Sequence, residues 1–418
     1  MNSYALQPER YRERWLTPLL QQASRDHPVV VLTGARQVGK STLLRHAEPF
    51  CHWRFQTLDD LDLLEQAHAH PEALWAGSDR IILDEVQKAP KLLSAVKYAI
   101  DREPGRYRFI LSGSANLLLM QQVSESLAGR AVYFILDPMT LGEMEHRRQP
   151  LLLEQLLAGE FPLEQAWDCP SIDLPSLLLR GAMPPLLRLD EPSSWSRWWE
   201  GYVTTYLERD LRQIAQIDSL LDFRRLMQFV ALRSGQLLNQ SELGRDARLS
   251  QSTVHRYLNL LETTHLFERL PAYAASHTTS LLRAPKPFIH DTGLAIFLSG
   301  YFDLESLRRA REWGSYFETL IYHHLRVVTR LLSPQGHLYF WRTRGGQEVD
   351  FVVEHGRKVI AIEAKSSPSP SHVDAKGLRS FLQHHPEAVA GVLLHGGTAI
   401  KRLDEKIIAL PWPLLAGL

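Results

Sequence analysis

The chain has 418 residues, with 47 Lys+Arg balanced by 47 Asp+Glu, 44% hydrophobic residues and 22% charged ones. This is the composition of a folded protein of two to four domains at roughly 100–200 residues each, and it excludes a disordered tail and a uniformly basic nucleic-acid coat, though not a basic surface on one face. No apolar run reaches the ~18 residues needed to cross a bilayer, the N-terminal residues carry charge where a signal peptide needs an apolar stretch, and Cys51 and Cys169 are too few for a disulfide framework or a cysteine zinc site. A cytoplasmic protein without membrane contact is the expectation.

The first ~145 residues alternate strand and helix signals. His27–Leu32, Arg80–Leu83 and Arg108–Leu111 are short apolar runs separated by helical spacers, the pattern of a parallel sheet buried on both faces. The first run ends at Gly34-Ala35-Arg36-Gln37-Val38-Gly39-Lys40-Ser41, which fits G-x-x-x-x-G-K-[ST], and Thr42 opens the following helix. In such a loop backbone N–H groups wrap phosphates, Lys40 reaches the β- and γ-phosphates and the Ser41 hydroxyl holds Mg²⁺. ATP and Mg²⁺ are the cofactors this predicts.

The second run ends in Asp84-Glu85. Asp84 is expected to bind Mg²⁺ through water, and Glu85 to polarise the attacking water. The third ends in Leu111-Ser112-Gly113-Ser114, which makes Ser112 and Ser114 candidates to sense the γ-phosphate. Arg130, after Gly129 and just before the next strand, is a candidate for stabilising transition-state charge in its own subunit or a neighbour's.

Residues 146–200, rich in leucine and proline, read as a connector or lid of short helices. Over 201–275 a helix capped by Asn239 or Ser241 ends near Ala247, Arg248-Leu249 turn, and Ser250 caps a second helix. Val254, Tyr257, Leu258 and Leu261 form its inward face, while Gln251, Ser252, His255, Arg256 and Asn259 point out. With Leu266–Leu270 following, this describes a winged helix-turn-helix whose outward residues would contact DNA. Nine Arg against eight Asp+Glu in this segment make a weak electrostatic footprint.

The last part, 276–418, carries spaced carboxylates. Glu318 lies on a helix, Asp350 on a strand, and Glu363 and Lys365 share one face of the next strand. Asp350 and Glu363, with Glu318, are candidate ligands for one or two Mg²⁺, and Lys365 would orient water. The D…ExK spacing resembles the PD-(D/E)xK nuclease site.

Together these segments resemble the prokaryotic AAA+-type ATPases, close to STAND ATPases, that carry a C-terminal domain of unknown function. GARQVGKSTLL, IILDEVQKAP, FILSGSANLLL and SLAGR carry the resemblance in the first half. YVTTYLERDL, KPFIHDTGLA, GSYFETLI, GGQEVDFVV and AIEAKSS carry it in the second. Gly181-Ala182-Met183-Pro184 departs from the Gly-Gly-aromatic-Pro that the resemblance leads one to expect, at one local turn. The resemblance implies an α/β chain with a P-loop AAA+ core at 1–145, a winged helix, and a restriction-endonuclease-like end domain. A homo-oligomer such as a hexameric ring follows as an expectation. The leading functional expectation is an ATP-driven machine on duplex or branched DNA. A nucleotide-gated switch with an inactive nuclease fold and an ATP-regulated Mg²⁺-dependent nuclease are the alternatives.

Overall fold

The structure is a computed structural model that describes residues 11–113, 127–161, 172–205, 217, 219–274, 280 and 283–417. They form two compact units, 1–138 with 263–265, and the remainder from 139 to 418.

In the first unit, β1 (Val29–Thr33), β2 (Arg54–Thr57), β3 (Arg80–Asp84), β4 (Arg108–Ser112) and β5 (Ala131–Ile135) form one parallel sheet in the order β2-β3-β4-β1-β5. The expected runs of β1, β3 and β4 are its centre, and their side chains are almost wholly buried. Val29, Val31, Ile81, Leu83, Phe109 and Leu111 pack with Leu92, Leu93 and Val96 of the helix Leu92–Arg102. A strand with apolar residues on both faces needs cover on both sides, which is why these runs do not alternate. Because β4 lies between β1 and β3, the ends of all three strands open on one edge of the sheet.

The second unit begins with short helices, among them Leu152–Ala158, Leu174–Arg180 and Pro192–Tyr202. The helix Gln240–Ala247 is capped by Asn239, whose Oδ1 accepts from the N–H groups of Ser241 and Glu242. Arg248 turns through a left-handed conformation at φ 55°, and Ser250 accepts from the Thr253 N–H to start the helix Gln251–Thr263. The wing is β6 (Phe267–Leu270) paired antiparallel with β7 (Lys286–Ile289). The second strand of that pair lies beyond residue 275.

The chain ends in a six-stranded mixed sheet, ordered β12-β13-β11-β10-β9-β8. Its strands are β8 (His337–Arg342), β9 (Glu348–His355), β10 (Lys358–Lys365), β11 (Ala390–His395), β12 (Lys401–Asp404) and β13 (Ile407–Pro411). The long helix Trp313–Leu331 packs on it and is buried along most of its length.

Candidate functional site

The phosphate loop takes its shape from two glycines. Gly34 has φ 146°, and a Cβ there would lie 2.3 Å from the Leu136 carbonyl oxygen. Gly39, at φ 95°, leads directly into the helix Lys40–His46. Arg36 and Gln37 are exposed at the loop tip, Ala35 and Val38 are buried beneath it, and Thr42 is half-buried. Buried Arg14 braces the loop, donating from Nη1 to the Val38 carbonyl at 2.8 Å and from Nη2 to the Asp137 carbonyl at 2.6 Å. The sequence reading missed Arg14, since a lone arginine in a polar N-terminal segment gives no sign of being buried.

Lys40 is buried and donates to the Gly34 and Ala35 carbonyls, each at 3.0 Å. Burial pulls its ammonium down to about 8, against the opposing pull of Glu85 and Asp84. Phosphate oxygens are the partner that such a half-compensated cation suits. Ser41 Oγ donates to Asp84 Oδ2 at 2.8 Å. Among the described residues, Asp84 Oδ1 is buried with no hydrogen-bond partner, and so is Ser112 Oγ at the tip of β4. A hydroxyl paired with a carboxylate that keeps one free buried oxygen fits Mg²⁺, a hard cation that takes oxygen ligands. Glu85 sits in the left-handed region at φ 57° and accepts from Gln87 Nε2. Ser114 lies outside the described residues.

The structure corrects part of the reading of Arg130. All five strands run the same way, so Lys40, Asp84 and Ser112 stand at their C-terminal ends, whereas Arg130 precedes β5 at the opposite edge. Crossing a five-residue strand takes about 16 Å at ~3.3 Å per residue. Arg130 is bound there to Asp101, through Nε–Oδ1 at 2.7 Å and Nη2–Oδ2 at 3.1 Å. It does not reach the phosphate loop of its own chain.

A second polar cluster lies in the other unit. Glu318 comes from the helix Trp313–Leu331, Glu348 and Asp350 from β9, and Glu363 and Lys365 from β10. The sequence reading did not anticipate Lys286, from wing strand β7. Its Nζ lies 3.1 Å from Glu318 Oε1, 2.5 Å from Glu348 Oε1 and 3.8 Å from Asp350 Oδ1, and its side chain is 2% exposed. Lys365 Nζ donates to Glu363 Oε1 at 2.7 Å, and Asp350 Oδ2 accepts from the Ala364 N–H at 2.9 Å. Close approach is possible because Gly235 stands over Glu318: a Cβ there would be 2.9 Å from Oε2.

Burial, reinforced by the charge of Asp350, pushes both Glu318 and Glu363 up to about 8, with Lys286 and Lys365 respectively pulling the other way. Burial by itself lowers Lys286, but Glu318, Asp350 and Glu348 outweigh it and hold its ammonium above the ordinary range. Glu363 Oε2 is buried with no partner among the described residues, beside Asp350. That oxygen fits a hard cation held from Asp350 and Glu363. The expectation that Glu318 completes a three-carboxylate ligand set is changed, because the Lys286 ammonium sits against it. Among the described residues, three side-chain ligand atoms come within 4.8 Å of one another at Glu48, Cys51 and His52, not at this cluster.

On the helix-turn-helix, Gln251, Ser252, His255 and Arg256 are exposed, as expected. Asn259 is half-buried and tied down, accepting from Arg269 Nη2 at 2.7 Å and contacting His255 Nε2 at 3.1 Å. Arg233 and Arg269 are paired with Asp246 and Glu262, so two of the segment's nine guanidiniums are neutralised internally.

A phosphate loop and a carboxylate-ended strand on a parallel sheet define a P-loop ATPase-type protein of the AAA class, joined to a C-terminal α/β domain. Residues 26–145 match the AAA domain family, 171–305 a domain of unknown function (DUF8612), and 313–415 another (DUF4143). Uncharacterized protein Rv2008c of Mycobacterium tuberculosis and Mb2031c of Mycobacterium bovis are each 31% identical over 396 residues, covering 94% of this chain and 82% of theirs. The chain belongs to their family, the AAA+ ATPases with a C-terminal domain of unknown function (DUF4143). An uncharacterized protein of Haemophilus influenzae is 21% identical over 389 residues, covering 86% of this chain and 88% of its own. Among solved structures, the Thermotoga maritima RuvB Holliday junction branch migration motor aligns over 61% of this chain and 87% of its own, at 17% identity and TM-score 0.28. A STAND protein of Pyrococcus horikoshii with a tetratricopeptide repeat sensor aligns over 78% and 47%, at 10% identity and TM-score 0.21. Likenesses this distant carry no further argument. Among the described residues no helix is long and apolar enough to cross a membrane.

Proposed function

We propose that this protein hydrolyses ATP with Mg²⁺ and uses the cycle to remodel or translocate on DNA, branched DNA such as four-way junctions included, as a cytoplasmic homo-oligomer. The observation that carries the ATPase reading is the Ser41–Asp84 hydrogen bond beside the unpartnered Asp84 Oδ1 and the buried Lys40. Lys40 and the backbone of residues 34–39 would hold the phosphates, with Thr42 at the edge of the loop. Ser41 and Asp84 would hold Mg²⁺, which supplies charge neutralisation at the β- and γ-oxygens when bound. Glu85 orients water and accepts its proton. Ser112, at the end of the strand between β1 and β3, would sense the terminal phosphate, a role supported by its position on the same edge of the sheet. Arg130, excluded from its own site, acts only if a neighbouring copy presents it.

The domain division in this reading is an AAA+ core over 1–145, a connector over 146–200, a winged helix-turn-helix over 201–275 with β7 as its second wing strand, and a nuclease-like end domain in the rest of 276–418. In this reading Gln251, Ser252, His255 and Arg256 contact DNA, and Asp350, Glu363 and Lys365 form the nuclease-like site. A second reading, a nucleotide-gated switch with an inactive end domain, is favoured by Lys286, which sits on Glu318 where a nuclease would want a free carboxylate.

The deciding experiment measures ATP hydrolysis with single-stranded, duplex, forked and four-way DNA, with Mg²⁺ at moderate salt. Selective stimulation by one shape is the expected result. Slow turnover indifferent to all of them would discard the DNA machine in favour of the switch.

A further inference from the structure

The parallel sheet of the first unit has a second edge that the nucleotide site leaves unused. Arg54, Arg80 and Arg108 are the first residues of β2, β3 and β4, and Arg130 directly precedes β5. Strands that all run one way line these starts up along the edge opposite Lys40 and Asp84. Arg80 and Arg108 are register partners, so their backbones stand one strand spacing apart, about 4.8 Å.

At two of these starts the guanidinium is engaged. Arg54 donates to the Ala76 carbonyl at 2.6 Å, and Arg130 is paired with Asp101. Between them is a cavity of about 350 Å³ whose lining includes Gln21, Arg25, Trp53, Arg80 and Arg108. Among the described residues three guanidiniums line it and no carboxylate does, on a chain whose net charge is zero. Asp26 and Asp79 adjoin Arg25 and Arg80 in sequence but are not part of the lining. Arg25 and Arg80 are exposed, while Arg108 and Trp53 are half-buried. Arg108 is anchored by Nη1 alone, to the Tyr107 and Gly105 carbonyls at 3.1 and 3.3 Å. The Arg80 guanidinium lies 6.0 Å from the centroid of the Trp53 ring.

Guanidinium forks bind phosphate oxygens in pairs, and an indole face beside them is a platform for a nucleobase. An acidic peptide would match the charge but make no use of the indole, whose contacts are Phe50 edge-on at 5.7 Å and the Arg80 guanidinium. We propose that this cavity binds a phosphate ester carrying a base, as part of a single-stranded nucleic acid, with the phosphate between Arg80 and Arg108 and the base against Trp53. It is a site on the ATPase unit itself and does not require the helix-turn-helix to touch DNA.

The test is fluorescence anisotropy of a labelled short oligothymidylate with the full chain, free of ATP, over a series of salt concentrations. Arg80→Ala and Arg108→Ala are each expected to weaken binding about tenfold, the value of one charge-assisted contact. Each should also flatten the slope of log K against log salt by about 0.7, the loss of one phosphate contact to a single strand. Arg25→Glu, on the exposed face of a helix, gives the same direction if the half-buried Arg108 variant fails to fold. Arg357→Ala, on an exposed turn outside every candidate site, should bind the strand as the wild type does. Thymidine monophosphate binding as tightly as the strand would keep the site and make free nucleotide its ligand. Unchanged affinity and slope in Arg80→Ala and Arg25→Glu would overturn the proposal, as would displacement of the strand by polyglutamate at equal charge, or no binding at low salt. ATP turnover is not read, so failure of DNA-stimulated hydrolysis leaves this result standing.

Discussion

Lys286 Nζ and Glu318 Oε1 lie 3.1 Å apart, one from the wing strand β7 and the other from the long helix Trp313–Leu331, with the lysine side chain 2% exposed. A buried pair of this kind is worth little against an apolar replacement of both partners, but breaking it from one side leaves an uncompensated charge. Lys286→Met is expected to lower stability by about 3–5 kcal/mol. Adding Glu318→Gln should restore at least about 1 kcal/mol, a coupling typical of residues in direct contact. Urea unfolding of the two single variants and the double variant measures this; strictly additive losses would show that the two side chains do not depend on each other.

In the proposed reaction Glu85 orients water and takes its proton. Glu85→Gln should retain nucleotide binding and lose about 10²–10⁴ in turnover, the usual range for a general base. Equilibrium binding of ATP alongside steady-state phosphate release separates the two effects. Turnover within a few fold of the wild type would assign the proton to another group.

Arg130 stands on the far edge of the sheet, in a partly exposed pair with Asp101. Such pairs contribute roughly 0–1 kcal/mol. Arg130→Ala and Asp101→Ala should therefore cost similar small amounts of stability and leave the affinity of a single chain for ATP unchanged. A marked loss of ATP affinity in dilute Arg130→Ala protein would contradict the placement.

If the end domain cuts DNA, Lys365→Ala should abolish cleavage and spare ATP hydrolysis, since Lys365 bonds Glu363 on β10, far in sequence from the phosphate loop. A supercoiled plasmid incubated with Mg²⁺, assayed in parallel with phosphate release, reads both activities. Cleavage that survives Lys365→Ala but vanishes in Lys40→Ala would reverse the assignment.

His324 provides a stability signal set by pH. It is buried, its Nε2 accepts from the Leu141 N–H at 3.0 Å, and its Nδ1 lies 2.9 Å from the Leu320 carbonyl, so the neutral ring satisfies both. Burial lowers it from 6.5 to about 4. The folded state thus holds fewer protons here than the unfolded state between those values. The contribution is complete above 6.5 and declines as pH falls toward 4, by on the order of 3 kcal/mol. The difference in urea midpoint between wild type and His324→Gln should shrink from pH 7.5 to about pH 5; a constant difference would mean the ring protonates in place.

The sequence by itself determined the parts whose chemistry is contiguous. Gly34 to Ser41 form one loop, Asp84-Glu85 end one apolar run, and Asn239, Arg248 and Ser250 cap and turn adjacent helices, so neighbouring residues settle each local structure. The spacing of Asp350, Glu363 and Lys365 was legible for the same reason: two adjacent antiparallel strands, β9 and β10, keep their period of two. Tertiary structure alone decided what depends on register between distant segments. Lys286 reaches Glu318 and Glu348 across 32 and 62 positions of sequence, and Arg14 reaches Asp137 across 123. No local periodicity encodes such distances. Strand direction likewise placed Arg130 on the wrong edge for its own nucleotide site and brought Arg80 beside Arg108. A side chain's neighbours across a sheet follow from strand order, and strand order comes from how the whole sheet packs, with β1, β3 and β4 buried at its centre, rather than from any one strand.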